Sequence, residues 1–176
     1  LYSRIGNNGQ ICNNAQRVYV QRDIKKEFTR ILVEKMAAVT VGDPCKDDSV
    51  DMWPLVEQRA LESVTGKVER AIKQGAKLLC GWHRVGDKWY FYAATVLDHC
   101  TQDMDIIHEE TFGPVIPLVE YNTVDEAIEY ANDCDYGLAS SVFTKDLNMA
   151  TKVCRELEFG ETYINREHFE AIQGFH

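Results

Sequence analysis

Positive charge is scarce in this chain: lysine and arginine total 19 against 28 acidic residues, giving a formal net charge of -9 at pH 7. Recognition of a phosphate backbone needs clustered positive charge, so nucleic acid is not an expected partner. Long apolar runs are missing as well. None approaches the ~20 residues that cross a bilayer, which removes a helical membrane span from the expectations. The six cysteines (12, 45, 80, 100, 134 and 154) never form a C-x-x-C pair, and finger-type metal sites need closely paired ligands. No metal is therefore expected. Their dispersion and the lack of an N-x-S/T sequon speak for reduced thiols in a cytoplasmic setting. G-x-G-x-x-G, G-K-[ST] and G-x-S-x-G are all absent. The chain does not open on methionine, and "LYSRIGNNGQ" lacks the charged start and apolar core of a signal peptide. A piece of a longer protein is the expectation.

What is present reads as one globular domain over residues 1–176, with 45% apolar and 27% charged residues. Helical and extended patterns alternate. "RVYVQ" (17–21) has the period of a strand, and Ile24, Phe28, Ile31, Leu32 and Val39 then follow helical spacing behind Asp23 as N-cap. A second helix from about Ala60 carries Leu61, Val64, Val68, Ala71 and Ile72 on one face and ends near Gly75. "KLLCG" and "VIPLVEY" (115–121) read as strands, although Pro117 suits an edge strand better than a central one. Thr123 and Glu126 form a capping box ahead of a third helix. "ASSVFT" (139–144) is a further strand. A fourth helix follows, capped by Asp146 and facing inward with Leu147, Ala150, Val153, Cys154 and Leu157. "TYIN" (162–165) closes the pattern. This alternation predicts an α/β fold, a largely parallel sheet flanked by helices.

Three segments carry residues able to do chemistry. In "NNGQICNNAQR" (7–17) Cys12 stands among amides, whereas a structural thiol usually keeps apolar company. Backbone N–H groups gathered in a turn would stabilise a thiolate and then an oxyanion on the group it attacks. An ordinary half-buried cysteine at an element boundary fits the same residue types. "HEETFGP" (108–114) begins like a zinc-binding H-E-x-x-H, but Phe112 replaces the second histidine. Glu110 is left as an acceptor for hydroxyls with Phe112 as a flat apolar wall, or the segment is simply a turn into a strand. In "YINREHFEAIQGFH" (163–176) Asn165 ends a strand, and Arg166, Glu167, His168, Glu170 and His176 follow in a polar stretch that fits a binding loop.

Taken in order, N-x-G-Q-x-C, E-E-x-F-G-P and "YGLASSVFT" followed by "GETYIN" resemble the catalytic domain of the NAD(P)-dependent aldehyde dehydrogenase superfamily from end to end. The wording around Cys12 and in "FGETYINREHFEAIQGFH" is most similar to the lactaldehyde/glycolaldehyde dehydrogenase branch. The resemblance implies a nucleophilic Cys12 whose own N–H is half of an oxyanion hole. It implies Glu110 and Phe112 at the nicotinamide ribose, and Asn165 near the active site. Asn13, Asn165, Glu170 and His176 become the expected contacts to a small hydroxyaldehyde, whose hydroxyl needs polar partners. The implied cofactor is NAD, with NADP not excluded, and the implied whole protein is a homo-oligomer. The family's coenzyme-binding domain, general-base glutamate and oxyanion asparagine precede the nucleophile, and its oligomerisation segment follows "QGFH", so the expectation is a fragment inactive as a dehydrogenase by itself. Trp53, Trp82 and Trp89 fall where the family often has glycine, which strains the turn wherever φ is positive.

Other readings stay open on the sequence. They are a structural or assembly module, a thiol hydrolase pairing Cys12 with His108, His168 or His176, and a semialdehyde branch in which Arg17 or Arg166 would meet an anionic substrate.

Overall fold

Val115, Ile116, Leu118 and Val119 follow one another with only Pro117 between them, and a run that is apolar on both faces belongs to a strand covered from both sides. The computed structural model describes residues 1–167 and bears this out. In chain order the elements are α1 (Tyr2–Ile5), a short 3-10 segment (Gly6–Gly9), β1 (Val18–Gln21), α2 (Arg22–Ala37), α3 (Gln58–Gln74) and β2 (Lys77–Cys80). They continue with β3 (Thr95–Cys100), α4 (Asp105–His108), β4 (Val115–Tyr121), α5 (Val124–Asn132), β5 (Ala139–Val142), α6 (Leu147–Glu156) and β6 (Glu161–Ile164).

Four strands form one sheet in the order β1-β4-β3-β2. β4 runs parallel to β1 and to β3, and β2 closes the far edge antiparallel to β3. β5 and β6 make a separate parallel pair. The expected parallel sheet flanked by helices is thus found, with one antiparallel edge strand. Alternate residues of the central strands feed two cores. Leu97, Val115 and Val119 pack with Leu61, Val64, Val68 and Ala71 of α3. Val96, Ile116 and Leu118 pack on the other face with Leu32 and Met36 of α2 and with Ile5.

The helix ends follow the capping chemistry in most places. Gly75 closes α3 at φ 115, a left-handed conformation natural to glycine. Thr123 accepts the Glu126 N–H at 3.2 Å, while the Glu126 carboxylate reaches back one residue further than the box requires, to the Asn122 N–H at 2.6 Å. Asp146 accepts from the N–H groups of Asn148 and Met149.

Several expectations are corrected. Asp23 is not the cap of α2: the helix starts at Arg22 with Gln21 as N-cap and no side-chain cap bond, and Asp23 lies in the first turn. Ile24, Phe28 and Ile31 share helical spacing with Leu32 but are exposed, because only the Leu32–Met36 side of α2 meets the sheet. In α6, Leu147 and Cys154 face solvent, and Ala150 and Val153 alone are buried. Pro117 sits in a central strand, not at an edge. Its missing N–H is accommodated because β3 shifts register immediately after the Leu97–Pro117 pair, next to His99 at φ 55. Trp82 and Trp89 do adopt positive φ, at 58° and 59°, whereas Trp53 does not.

Candidate active site

β1 and β4 lie side by side and parallel, with Val18 opposite Leu118. Cys12 lies just before β1 and Glu110–Phe112 just before β4, so the topology delivers both segments to the amino ends of neighbouring strands. Residues about a hundred positions apart become neighbours for this reason. The usual location for ligands in open sheets is the carboxyl end, and this site is on the opposite side.

Cys12 occupies a turn from Ile11 to Asn14, closed by the Asn14 N–H donating to the Ile11 carbonyl at 3.1 Å. Its side chain is exposed. Among the described residues no acceptor takes the Cys12 N–H, which leaves that donor available beside the sulfur. The amides around it have largely structural duties. Asn7 and Asn8 hold left-handed conformations at φ 46 and 57, which asparagine tolerates better than most residues. Asn8 accepts from the Trp53 N–H at 3.0 Å and donates to the Pro54 carbonyl at 2.9 Å. Gln10 accepts from the Val56 N–H, and Asn14 donates to the Gly6 carbonyl. Asn13 is half-buried next to the nucleophile.

The second segment is anchored from α3. Lys67 donates to the Glu110 carbonyl and lies 3.5 Å from the Glu109 carboxylate. Arg70 pairs with Glu109 at 2.8 Å and with Asp105 at 3.3 Å. Glu109 is thereby committed. The half-buried Glu110 carboxylate, in contrast, has no hydrogen bond or ion pair among the described residues. Phe112 leaves 42% of its surface exposed, at the tip of a tight turn in which the Gly113 N–H bonds the Thr111 carbonyl. A free carboxylate beside an unburied ring suits the vicinal hydroxyls and flat ring of a nicotinamide riboside, so these residues fit the coenzyme.

Two residues that the sequence reading passed over join the segments. Arg4, 1% exposed, donates to the carbonyls of Ala15 and Thr111, and Gln16 accepts the Thr111 N–H at 2.9 Å. Nothing in "YSRIGNN" marks Arg4 as buried. Lys67 was hidden likewise on an amphipathic helix, where a lysine normally faces water.

The surroundings of the other expected residues are as follows. Asn165, at φ 56, spends both ends of its amide on the Thr144 backbone, accepting at 2.8 Å and donating at 2.7 Å. It ties β6 to the end of β5. Glu170, His176 and His168 lie outside the described residues. Arg17 is committed to the carbonyls of Tyr130 and Ala131 and to the Cys134 sulfur, and Arg166 lies over the Tyr163 ring. Among the described residues no group of three or more His, Cys, Asp or Glu side chains could hold a metal ion. No described helix is long and apolar enough to cross a membrane.

Comparison with known proteins identifies the family. The model of the aldehyde dehydrogenase family matches residues 1–176. Lactaldehyde dehydrogenase of Escherichia coli (strain K12) is 51% identical over 174 residues, covering 99% of this chain and 36% of that protein. Its crystal structure superimposes with a TM-score of 0.95, over 97% of this chain and 36% of its own. The structure of 3,6-anhydro-L-galactose dehydrogenase in complex with NAP also gives 0.95, at 42% identity over 99% of this chain and 37% of its own. The NAD+ complex of an aldehyde dehydrogenase from Bacillus cereus gives 0.92, at 33% identity over 96% and 34%. The chain therefore spans little more than a third of the length of the proteins it matches. An exposed cysteine before one parallel strand, an unengaged glutamate before the next, and a family match over every residue lead to one conclusion: this chain belongs to the aldehyde dehydrogenase family.

Proposed function

We propose that the protein containing this chain oxidises a small hydroxyaldehyde to its carboxylic acid, with Cys12 as the nucleophile and NAD as the expected hydride acceptor. The observation that carries the reading is the placement of an exposed Cys12 and an unengaged Glu110 at the amino ends of adjacent parallel strands. The Cys12 thiolate adds to the carbonyl carbon, and the carbonyl oxygen becomes an alkoxide within reach of the Cys12 N–H. Glu110 would accept hydrogen bonds from ribose hydroxyls of the coenzyme, and Phe112 would offer an apolar wall beside it. A coenzyme held there by Glu110 and Phe112 would supply the hydride acceptor that conversion of the thiohemiacetal into a thioester requires. Water then attacks the thioester carbonyl, breaking the acyl carbon–sulfur bond to release the acid and regenerate the Cys12 thiol.

The similarity to a lactaldehyde dehydrogenase supports a substrate bearing a hydroxyl next to the aldehyde. Asn13, Glu170 and His176 are its proposed contacts. Asn165 holds the strand end from which the polar C-terminal stretch departs. Of the two cations considered for an anionic semialdehyde, Arg17 is committed to the carbonyls of Tyr130 and Ala131 and to the Cys134 sulfur. Of the histidines considered for a thiol hydrolase, His108 alone lies among the described residues, and it is not hydrogen-bonded to Cys12 there.

The test is coenzyme reduction by the full-length protein with lactaldehyde, glycolaldehyde and succinic semialdehyde in parallel. Turnover with the two hydroxyaldehydes that vanishes in Cys12→Ala supports the reading. Oxidation that survives Cys12→Ala, or that favours the semialdehyde, overturns the mechanism or the substrate class respectively.

A further inference from the structure

We infer that Arg4 is a positioning residue that sets the distance between the Cys12 nucleophile and the Glu110–Phe112 coenzyme contact, an inference that rests on the proposed aldehyde oxidation. One guanidinium nitrogen donates to the carbonyl of Ala15, just after the Cys12 turn, at 3.1 Å. Another donates to the carbonyl of Thr111, the residue between Glu110 and Phe112. The other polar group of the Thr111 backbone, its N–H, donates to the Gln16 side chain at 2.9 Å. Both backbone groups of Thr111 are therefore held by side chains that bracket Cys12 in sequence.

Stability alone explains Arg4 poorly. Burial is the one cause acting on its basicity and draws the pKa down to about 9, so it is a cation at neutral pH. No carboxylate pairs with it among the described residues, and its Nε is buried without an acceptor. A buried charge with no counter-charge is costly, and apolar side chains of similar volume often stabilise as well or better. What an apolar residue cannot do is reach two carbonyls at once in fixed directions. The planar fork of a guanidinium does so, and lysine, a point charge on a flexible stem, does so only in part.

The two halves of the reaction differ in their need for this distance. Thiolate addition and ester cleavage require only the sulfur and its oxyanion donor. Hydride transfer also requires the coenzyme ring at the right separation, and a misplacement of about 1 Å costs roughly a hundredfold.

The experiment compares Arg4→Met, Arg4→Lys and Gln16→Leu in the full-length protein. Arg4→Met is expected to lower kcat for aldehyde oxidation about 10- to 100-fold. Its aldehyde KM, its cleavage of 4-nitrophenyl acetate without coenzyme and its rate of iodoacetamide alkylation at Cys12 stay near wild type. A primary deuterium isotope effect with the C1-deuterated aldehyde grows in the same variant. Arg4→Lys recovers part of kcat. Gln16→Leu shows a milder form of the same split and decides the matter should Arg4→Met fail to fold. Ester cleavage falling in parallel with oxidation, or oxidation unchanged, overturns the inference. The underlying reading fails separately, through oxidation that persists in Cys12→Ala with Arg4 intact.

Discussion

Gly9 and Gly113 touch backbone to backbone: a Cβ built on Gly9 would lie 2.2 Å from the Gly113 carbonyl oxygen, at a φ of +75 that L side chains rarely adopt. This contact seats the turn before Cys12 against the turn after Phe112. Gly9→Ala should therefore cost at least about 2 kcal/mol, from left-handed strain plus steric displacement. Denaturant melts of the full-length protein measure it. A loss below that size would mean the two turns can separate freely.

Glu109 and Glu110 offer a matched pair of substitutions. Glu109→Gln weakens the ion pairs of a half-exposed carboxylate to Arg70 and to the half-buried Lys67, worth ~1 kcal/mol of stability. Glu110→Gln removes an unengaged carboxylate from the proposed ribose contact. Hydrogen bonds to charged groups contribute about 1.5–3 kcal/mol, so coenzyme binding should weaken roughly 10- to 100-fold. Fluorescence titration with NADH distinguishes the two. Equal effects from both variants would move the coenzyme contact away from Glu110.

Thiol reactivity should divide the cysteines by environment. Burial pushes the Cys100 thiol up to about 12 and raises that of Cys80. At pH 7–8 these two are protonated and should resist iodoacetamide in the folded protein, while the exposed Cys12, Cys45 and Cys154 are modified. Peptide mass spectrometry reads the order. Early modification of Cys100 would contradict the packing of the sheet.

Acid should unfold the protein through specific carboxylates. Hydrogen bonds from the Thr40 N–H and hydroxyl hold Asp51 below the usual carboxylate range. The Asn122 N–H and the Tyr130 hydroxyl do the same for Glu126. A depressed folded pKa means the unfolded state binds more protons as pH falls. This stability is therefore complete above the unfolded values near ~4 and is lost on descending through the folded ones. Asp51→Asn should flatten the slope of stability against pH below about 4. An unchanged slope would show that Asp51 does not titrate with folding.

Trp89 isolates the cost of a left-handed side chain. It is largely exposed at φ 59, so Trp89→Gly should be more stable than Trp89→Ala by about 1 kcal/mol, despite the greater freedom of glycine in the unfolded chain. Comparative melts of the two variants test this, and alanine equalling glycine would locate the strain elsewhere.

Much of the fold was legible because periodicity reports burial directly. Leu61, Val64, Val68 and Ala71 face the core as their spacing requires, and the Gly75, Thr123 and Asp146 signals mark real helix ends. Periodicity does not say whether a second layer covers a stripe, and so Ile24, Phe28 and Leu147 were misplaced. Cys12, Glu110 and Phe112 stood out by residue type and by family motif. Arg4 and Lys67 did not, because their roles come from carbonyls distant in sequence, and backbone acceptors leave no signature in side-chain identity. Pro117 misled for a related reason, since the compensating bulge belongs to another strand.

The ladder between β1 and β4 acts as a ruler for the chemistry. Its hydrogen bonds set how far the sulfur stands from the acidic group in the segment leading into the adjoining strand, and slipping by one position would alter that span by about 3.3 Å. A conservative Val18→Ile substitution, within the sheet rather than at its reactive rim, is thus expected to surface as slow turnover before it surfaces as unfolding.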